Sequence, residues 1–170
     1  ELKTPIGKGR IVAVMLDDET AKKRLVCIFG RLELLIVEFS KIEQITSNRY
    51  ELVIKEYSLI NIVEQAVDLL MLDESKKEEQ IKIEGDFDFM VKVDFDLMAL
   101  AIKNLMDNAL KHSQTKEVFL KNIGKTLIVA NAGEPLKMAI EEYFQPFVSG
   151  SKACGSSLGL GLYIVQNIVS

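Results

Sequence analysis

The chain is poor in the residues on which metal enzymes and secreted scaffolds depend. Its 170 residues include one histidine, His112, which excludes any mechanism needing several histidine ligands. The two cysteines, Cys27 and Cys154, lie far apart with no CxxC or Cys/His grouping. Neither a disulfide framework nor a structural zinc site is therefore expected, and a reducing compartment is the natural reading. No apolar run approaches the ~20 residues of a bilayer span, so no membrane contact is expected from this segment. The stretch before Lys3 is too short for a signal peptide. There is no basic excess either: Lys and Arg number 21 against 25 Asp and Glu, a net charge of -4. That balance speaks against a nucleic-acid partner. What remains is 48% hydrophobic and 27% charged, which excludes wholesale disorder. The length suits one ordinary domain or two small ones.

Residues 1–46 read as two helices joined by a short turn. Leu2, Ile6, Gly9, Ala13 and Leu16 recur at three and four along the first. Leu25, Ile28, Leu32, Leu35, Phe39 and Ile42 form a heptad seam along the second. The polar Asp17-Asp18-Glu19-Thr20 between them can cap the second helix. Pro5, Gly7 and Gly9 predict a bend or weak spot in the first. An antiparallel hairpin with two apolar seams cannot bury both alone, so a homodimer forming a four-helix bundle is expected.

Past residue 46 the period changes. A strand is expected around Leu52 and Ile54, and a helix over 60–71. The stretch 73–80 reads as a solvated turn or helix end. Strands are expected at 81–83 and 90–93, flanking a turn at Gly85-Asp86. Asp94 should cap a long helix running to about Ser113. Two more strands follow at 118–120 and 126–129, then a long loop over 133–157 and a helix over 160–168. The fold class is α+β: a helical hairpin over 1–46, then, over 47–170, an α/β sandwich with helices on one face of a mixed sheet.

Three local patterns carry chemistry. Asn104, Asn108 and Lys111 fall at i, i+4 and i+7 on the long helix, opposite Met98, Ala101, Ile102, Leu105 and Ala109. Two carboxamides and an ammonium suit a nucleoside triphosphate with Mg2+, since an amide oxygen can ligate the ion and lysine supplies charge for phosphate. Taken alone, this face reads more readily as solvated polar surface. Asn131 and Gly133 end a strand, where a carboxamide can both donate to and accept from adenine; an ordinary Asn turn is the alternative. Gly159-Leu160-Gly161-Leu162 opens a helix, where closely spaced glycines admit phosphates to unpaired backbone amides. It is neither a Walker loop nor a dinucleotide fingerprint.

In this order the motifs resemble the catalytic core of bacterial two-component sensor histidine kinases, over nearly the whole chain. Glu1-Leu2-Lys3-Thr4-Pro5-Ile6 resembles the H-box, whose phosphoacceptor histidine would lie just before Glu1. Asn104-Leu105-Met106-Asp107-Asn108-Ala109-Leu110-Lys111-His112-Ser113 is similar to the N-box. Tyr143-Phe144-Gln145-Pro146-Phe147 is similar to the F-box, and Gly159-Leu160-Gly161-Leu162 to the second glycine box. Asn131 and Pro135 stand where the first glycine box has aspartate and glycine, and Ser157 where the second box often begins with glycine.

The resemblance implies a dimerisation and phosphotransfer hairpin over 1–46 and a Bergerat-type ATP-binding domain over 47–170 that stops before the family's last strands. It implies ATP and Mg2+ as ligands, autophosphorylation on histidine, and transfer to a response-regulator aspartate. By position, Glu1 would be the base beside the acceptor histidine and Thr4 would position water for dephosphorylation of the regulator. Asn108 would ligate Mg2+, Asn104 and Lys111 would hold phosphates, and Asn131 with Gly133 would meet adenine near His112. Gly159, Leu160, Gly161 and Leu162 would receive the phosphates, and Lys152 would reach the terminal one from a lid over 134–157. Without its acceptor, the chain as given is expected not to phosphorylate itself. It would be the cytoplasmic portion of a protein anchored in the inner membrane upstream. Two alternatives stay open: another ATPase of the same class, which would lack the Glu1-to-Ile6 motif, or a non-catalytic dimeric scaffold, which Asn131 and Pro135 would favour.

Overall fold

The computed structural model describes residues 3–46, 51–124, 126–148 and 159–170. They gather into two compact units. One contains the described residues up to 46 with 145–148 and 159–160, the other those of 51–144 with 161–170. No described helix is long and apolar enough to cross a membrane.

The first unit is built on α1 (Lys3–Val14) and α2 (Glu19–Thr46). The Asp18 carboxylate caps α2, accepting from the Thr20 N–H at 2.8 Å and the Ala21 N–H at 3.1 Å. Despite Pro5, Gly7 and Gly9, α1 is continuous, and the expected weak spot is instead a contact point. A Cβ at Gly9 would lie 2.5 Å from Phe29 Cζ, so the Phe29 ring occupies the space that a side chain would need. Arg10 reaches Glu33 at 2.9 Å, and Ala13 is buried. Ile11, Val12, Ile28 and Leu32 stay exposed. Leu2 and the side chains of Leu35, Phe39 and Ile42 lie outside the described residues. Cys27 is disulfide-bonded, which departs from the reading of a reducing compartment; Cys154 lies outside the described residues.

The second unit is α+β. Its strands are β1 (Ile54–Ser58), β2 (Ile81–Glu84), β3 (Met90–Asp94), β4 (Val118–Ile123) and β5 (Thr126–Ala130). β1 pairs antiparallel with β3, from Ile54 opposite Asp94 to Ser58 opposite Met90. β2 pairs parallel with β4, and β4 antiparallel with β5, a mixed three-stranded sheet. Helices α3 (Leu59–Asp68), α4 (Glu74–Gln80), α5 (Phe95–His112), α6 (Ile140–Tyr143) and α7 (Gly161–Val169) complete it. The core is Leu59, Ile62, Val63 and Ala66 of α3 against Ala99, Ile102, Met106 and Ala109 of α5, with Val118 and Leu120 of β4 beneath. α5 packs on both α3 and α7.

Three local expectations change. The first strand begins at Ile54, leaving Leu52 and Val53 exposed before it, while Tyr57 turns in to pack tilted on Phe95, ring centroids 5.0 Å apart. The stretch 73–80 contains a helix, α4, held by Lys77 bonded to Glu74 at 2.8 Å and Asp68 at 2.9 Å. Those bonds, Glu74's first, hold the Lys77 proton above the ordinary lysine range. β2 and β3 do not form a hairpin. Gly85, at φ +109, sits so close to the Asn122 backbone that a Cβ would be 2.9 Å from its carbonyl oxygen. Residues past it turn toward α3 instead, where the Phe89 and Phe87 carbonyls accept from Leu59 and Ile60 N–H. Those donors would otherwise be orphans of the helix start.

Candidate functional site

α5 is the spine of the site. Its start is fixed by Asp94, whose carboxylate accepts from the Leu97 N–H at 3.1 Å and, across 41 positions, from the Val53 N–H at 2.9 Å. Sequence spacing placed Asn104 on a polar face opposite the core. In the structure Asn104 is itself buried, 9% exposed, while Met98 packs against the core half-buried and Leu105, expected to pack inward as well, is only half-buried. The Asn104 Nδ2 group has no hydrogen-bond partner. A desolvated donor left so costs about 1–3 kcal/mol.

What lies beside that amide is the start of α7. A Cβ at Gly161 would come 3.9 Å from Asn104 Cβ and 4.0 Å from its Cγ. The first amides of a helix lack internal acceptors and carry the positive end of its dipole. Asn104 and the α7 start therefore bring unsatisfied donors together, an arrangement suited to an anionic oxygen. Leu162, next along α7, is half-buried.

The other end of α5 meets the exit of β5. The Gln114 N–H donates to the Ala132 carbonyl at 2.8 Å, tying the two together. At Gly133 a Cβ would lie 2.8 Å from the His112 carbonyl oxygen and 2.9 Å from Asn131 Nδ2, so only glycine fits. Asn131 and the His112 side chain are exposed there. Asn108 and Lys111 lie between the two ends, half-buried and exposed respectively. From Asn104 to His112 the helix rises about 12 Å at 1.5 Å per residue. The structure thus brings Asn104 and Gly161 together at one end, and Asn131, Gly133 and His112 at the other.

Sequence reasoning missed Asp107. Its Oδ2 lies 2.6 Å from Lys111 Nζ and 3.7 Å from Lys103 Nζ, so the lysine read as a phosphate contact is already engaged. The i, i+4 spacing of an acid before a lysine was the available signal. Sequence reasoning also missed Ser113, which is buried and accepts from the Glu117 N–H at 3.2 Å, turning the chain from α5 toward β4.

Gly159 and Leu160 belong to the first unit. The Phe147 N–H donates to the Gly159 carbonyl at 3.1 Å. Both residues have positive φ, +67 and +73, and a Cβ at Gly159 would collide with the Val148 backbone. Leu160 is fully buried. Thr4 is exposed on α1, whereas Glu1 and Lys152 lie outside the described residues. Among the described residues no cluster of three or more His, Cys, Asp or Glu could hold a metal ion.

Residues 93–170 match the family model described as histidine kinase-, DNA gyrase B- and HSP90-like ATPase. Over 168 residues the chain is 39% identical to the sensor histidine kinase ArsS of Helicobacter pylori. That match takes in 98% of this chain and 39% of ArsS, so the chain spans about two fifths of that relative. Among solved structures, the histidine kinase AdeS of Acinetobacter baumannii shares the fold with a TM-score of 0.64 at 19% identity. The likeness covers 99% of this chain and 81% of that one. Full-length ShkA, solved in complex with AMPPNP, gives 0.63 at 18% identity over 98% of this chain and 38% of its own.

Proposed function

We propose, from the premise that the chain is the catalytic region of a two-component sensor histidine kinase with its ATPase domain over residues 93–170, that it binds Mg2+-ATP along α5 and delivers the γ-phosphoryl group to a histidine. One observation carries the reading: the orphaned Asn104 amide beside Gly161 at the start of α7. A donor kept buried at a cost is accounted for when a phosphate oxygen accepts from it.

In this reading Asn104, Lys111 and the amides of Gly161 and Leu162 hold phosphates, with Gly159 and Leu160 leading the chain to them and Lys152 reaching the terminal group. Asn131 reads adenine, with Gly133 and His112 shaping its surroundings. Bound Mg2+ would supply charge neutralisation between phosphate oxygens. The residues present fit that ion, because Mg2+ commonly takes only one or two protein ligands and the rest from phosphate and water. Asn108, half-buried between Asn104 and His112 on α5, would be that ligand. Phosphoryl transfer asks the protein chiefly for alignment and charge, which this donor set offers.

The remaining roles extend the same proposal. The hairpin over 1–46 is the dimerisation and phosphotransfer domain and 47–170 the catalytic domain. The acceptor histidine precedes Glu1, Glu1 acts as its base, and Thr4 positions water for the dephosphorylation of a response regulator that receives the group on aspartate. The protein is a homodimer working on the cytoplasmic side of a membrane to which other segments anchor it.

Calorimetric titration with ATP, with and without Mg2+, tests the nucleotide reading. Asn108→Ala should weaken binding about tenfold in Mg2+, the loss of one ligand contact of ~1.4 kcal/mol, and change it little in chelator. An equal loss in both conditions would make Asn108 a shaping residue only. No binding by the unsubstituted chain would refute the ATP reading.

A further inference from the structure

The nucleotide reading gives roles to Asn104, Asn108 and Lys111 of α5, but not to the ion cluster in which Lys111 stands with Asp107 and Lys103. Lys103, Asp107 and Lys111 follow at i, i+4 and i+8, so they stand in file along the helix. One oxygen, Asp107 Oδ2, is 2.6 Å from Lys111 Nζ and 3.7 Å from Lys103 Nζ. The side chains are 26%, 33% and 41% exposed in that order, shielded enough for the charges to act on one another and open enough for an ion to reach Lys111. Asp107 is also one turn from Asn104 and adjacent in sequence to Asn108.

Resting on the nucleotide reading above, we infer that Asp107 is a positioning residue that holds the Lys111 ammonium as an exchangeable phosphate contact, competing with the polyphosphate for it and hastening nucleotide release. The reason is charge. A carboxylate and a phosphate are both acceptors of the same three ammonium protons, and both are anions. Bound phosphate must draw Lys111 off Asp107, leaving that carboxylate with Lys103 as its remaining cation. When nucleotide leaves, the short bond re-forms, so the free state is stabilised by a contact that the bound state gives up. A ligand's apparent affinity is lowered by whatever favours the state it must displace. Lys103 is the residue that makes the exchange tolerable, since it keeps the carboxylate from facing phosphate uncompensated.

The test is the affinity and dissociation rate of a fluorescent ATP analogue, with Mg2+ present, for the unsubstituted chain, Asp107→Asn, Asp107→Glu and Lys111→Gln. Asp107→Asn should tighten binding roughly three- to tenfold, as removal of one nearby like charge at the protein surface would, and slow dissociation by a similar factor. Asp107→Glu, which keeps the charge, should restore the original values. In the Lys111→Gln background the effect of Asp107→Asn should shrink to less than half, because no lysine remains to be released. A merely structural pair would move the melting temperature without this coupling. Weaker binding in Asp107→Asn, or an effect equally large without Lys111, would overturn the inference while leaving nucleotide binding intact. Failure of the unsubstituted chain to bind would instead overturn the nucleotide reading and this inference with it.

Discussion

Replacing Asn104 by leucine should make the nucleotide-free chain more stable and at the same time weaken its binding of ATP sharply. The two effects have one origin. Asn104 Nδ2 is buried without a partner, so it subtracts from folding what its desolvation costs, about 1–3 kcal/mol. Leucine has nearly the same shape and brings apolar surface to a buried site beside Gly161. The melting temperature should therefore rise. Binding should fall by on the order of a hundredfold, because a donor to a charged acceptor is worth ~1.5–3 kcal/mol and the leucine also obstructs the α7 start. Residues placed for function commonly cost stability, and opposite signs in the two measurements identify such a residue. Thermal unfolding and calorimetry on the same preparation check it. A less stable variant that still binds ATP would assign Asn104 to the core instead.

Under the homodimer proposal, placing aspartate at both Ile28 and Leu32 should leave the chain monomeric. Ile28 is 50% and Leu32 37% exposed although both belong to the apolar seam of α2, and Ile11 and Val12 of α1 are exposed as well. Packing of α1 on α2 through Gly9 and Phe29 leaves those side chains uncovered. A second copy presenting the same surface would cover them. Ionised carboxylates at such an interface cost several kcal/mol. The dissociation constant should accordingly rise by at least about a thousandfold. Each single chain should keep its helicity, since the substituted positions already face outward. Light scattering together with circular dichroism reads both properties. An unchanged dimer would move the interface off this seam.

Periodicity located α1, α2, α3, α5, β4, β5 and α7 close to where they lie, because each has one face that must leave water. Partnership was harder. Nothing local in Ile81-Lys82-Ile83 reveals that β2 pairs with β4 rather than with β3, since strand pairing across 37 residues is decided by the layer of helices above the sheet. The burial of Asn104 was equally hidden. A polar residue on a helix reads as solvated until a second helix packs over it, and α7 does so from 57 positions away. The turn chemistry was legible where it is local: Asp18 and Asp94 cap the helices that sequence assigned to them. Motif order named residues that the fold gathers at the two ends of the α5 stripe, but not that Lys111 is already held by Asp107.

The parallel pairing of β2 with β4 has a consequence for the order of assembly. Ile81 meets Val118 only after β3 and the whole of α5 have been laid down between them. α5 thus sits inside a long excursion of chain that is closed by a single ladder, and such non-local pairings form slowly because their loop entropy is lost before contacts compensate it. The helix that carries both ends of the site packs on α3 and α7 as well, so it holds its final position only when those layers and the ladder are all in place. Its amides should therefore exchange with solvent at the rate of global opening rather than by local fraying, and a bound nucleotide should slow exchange across the sheet as much as beside itself.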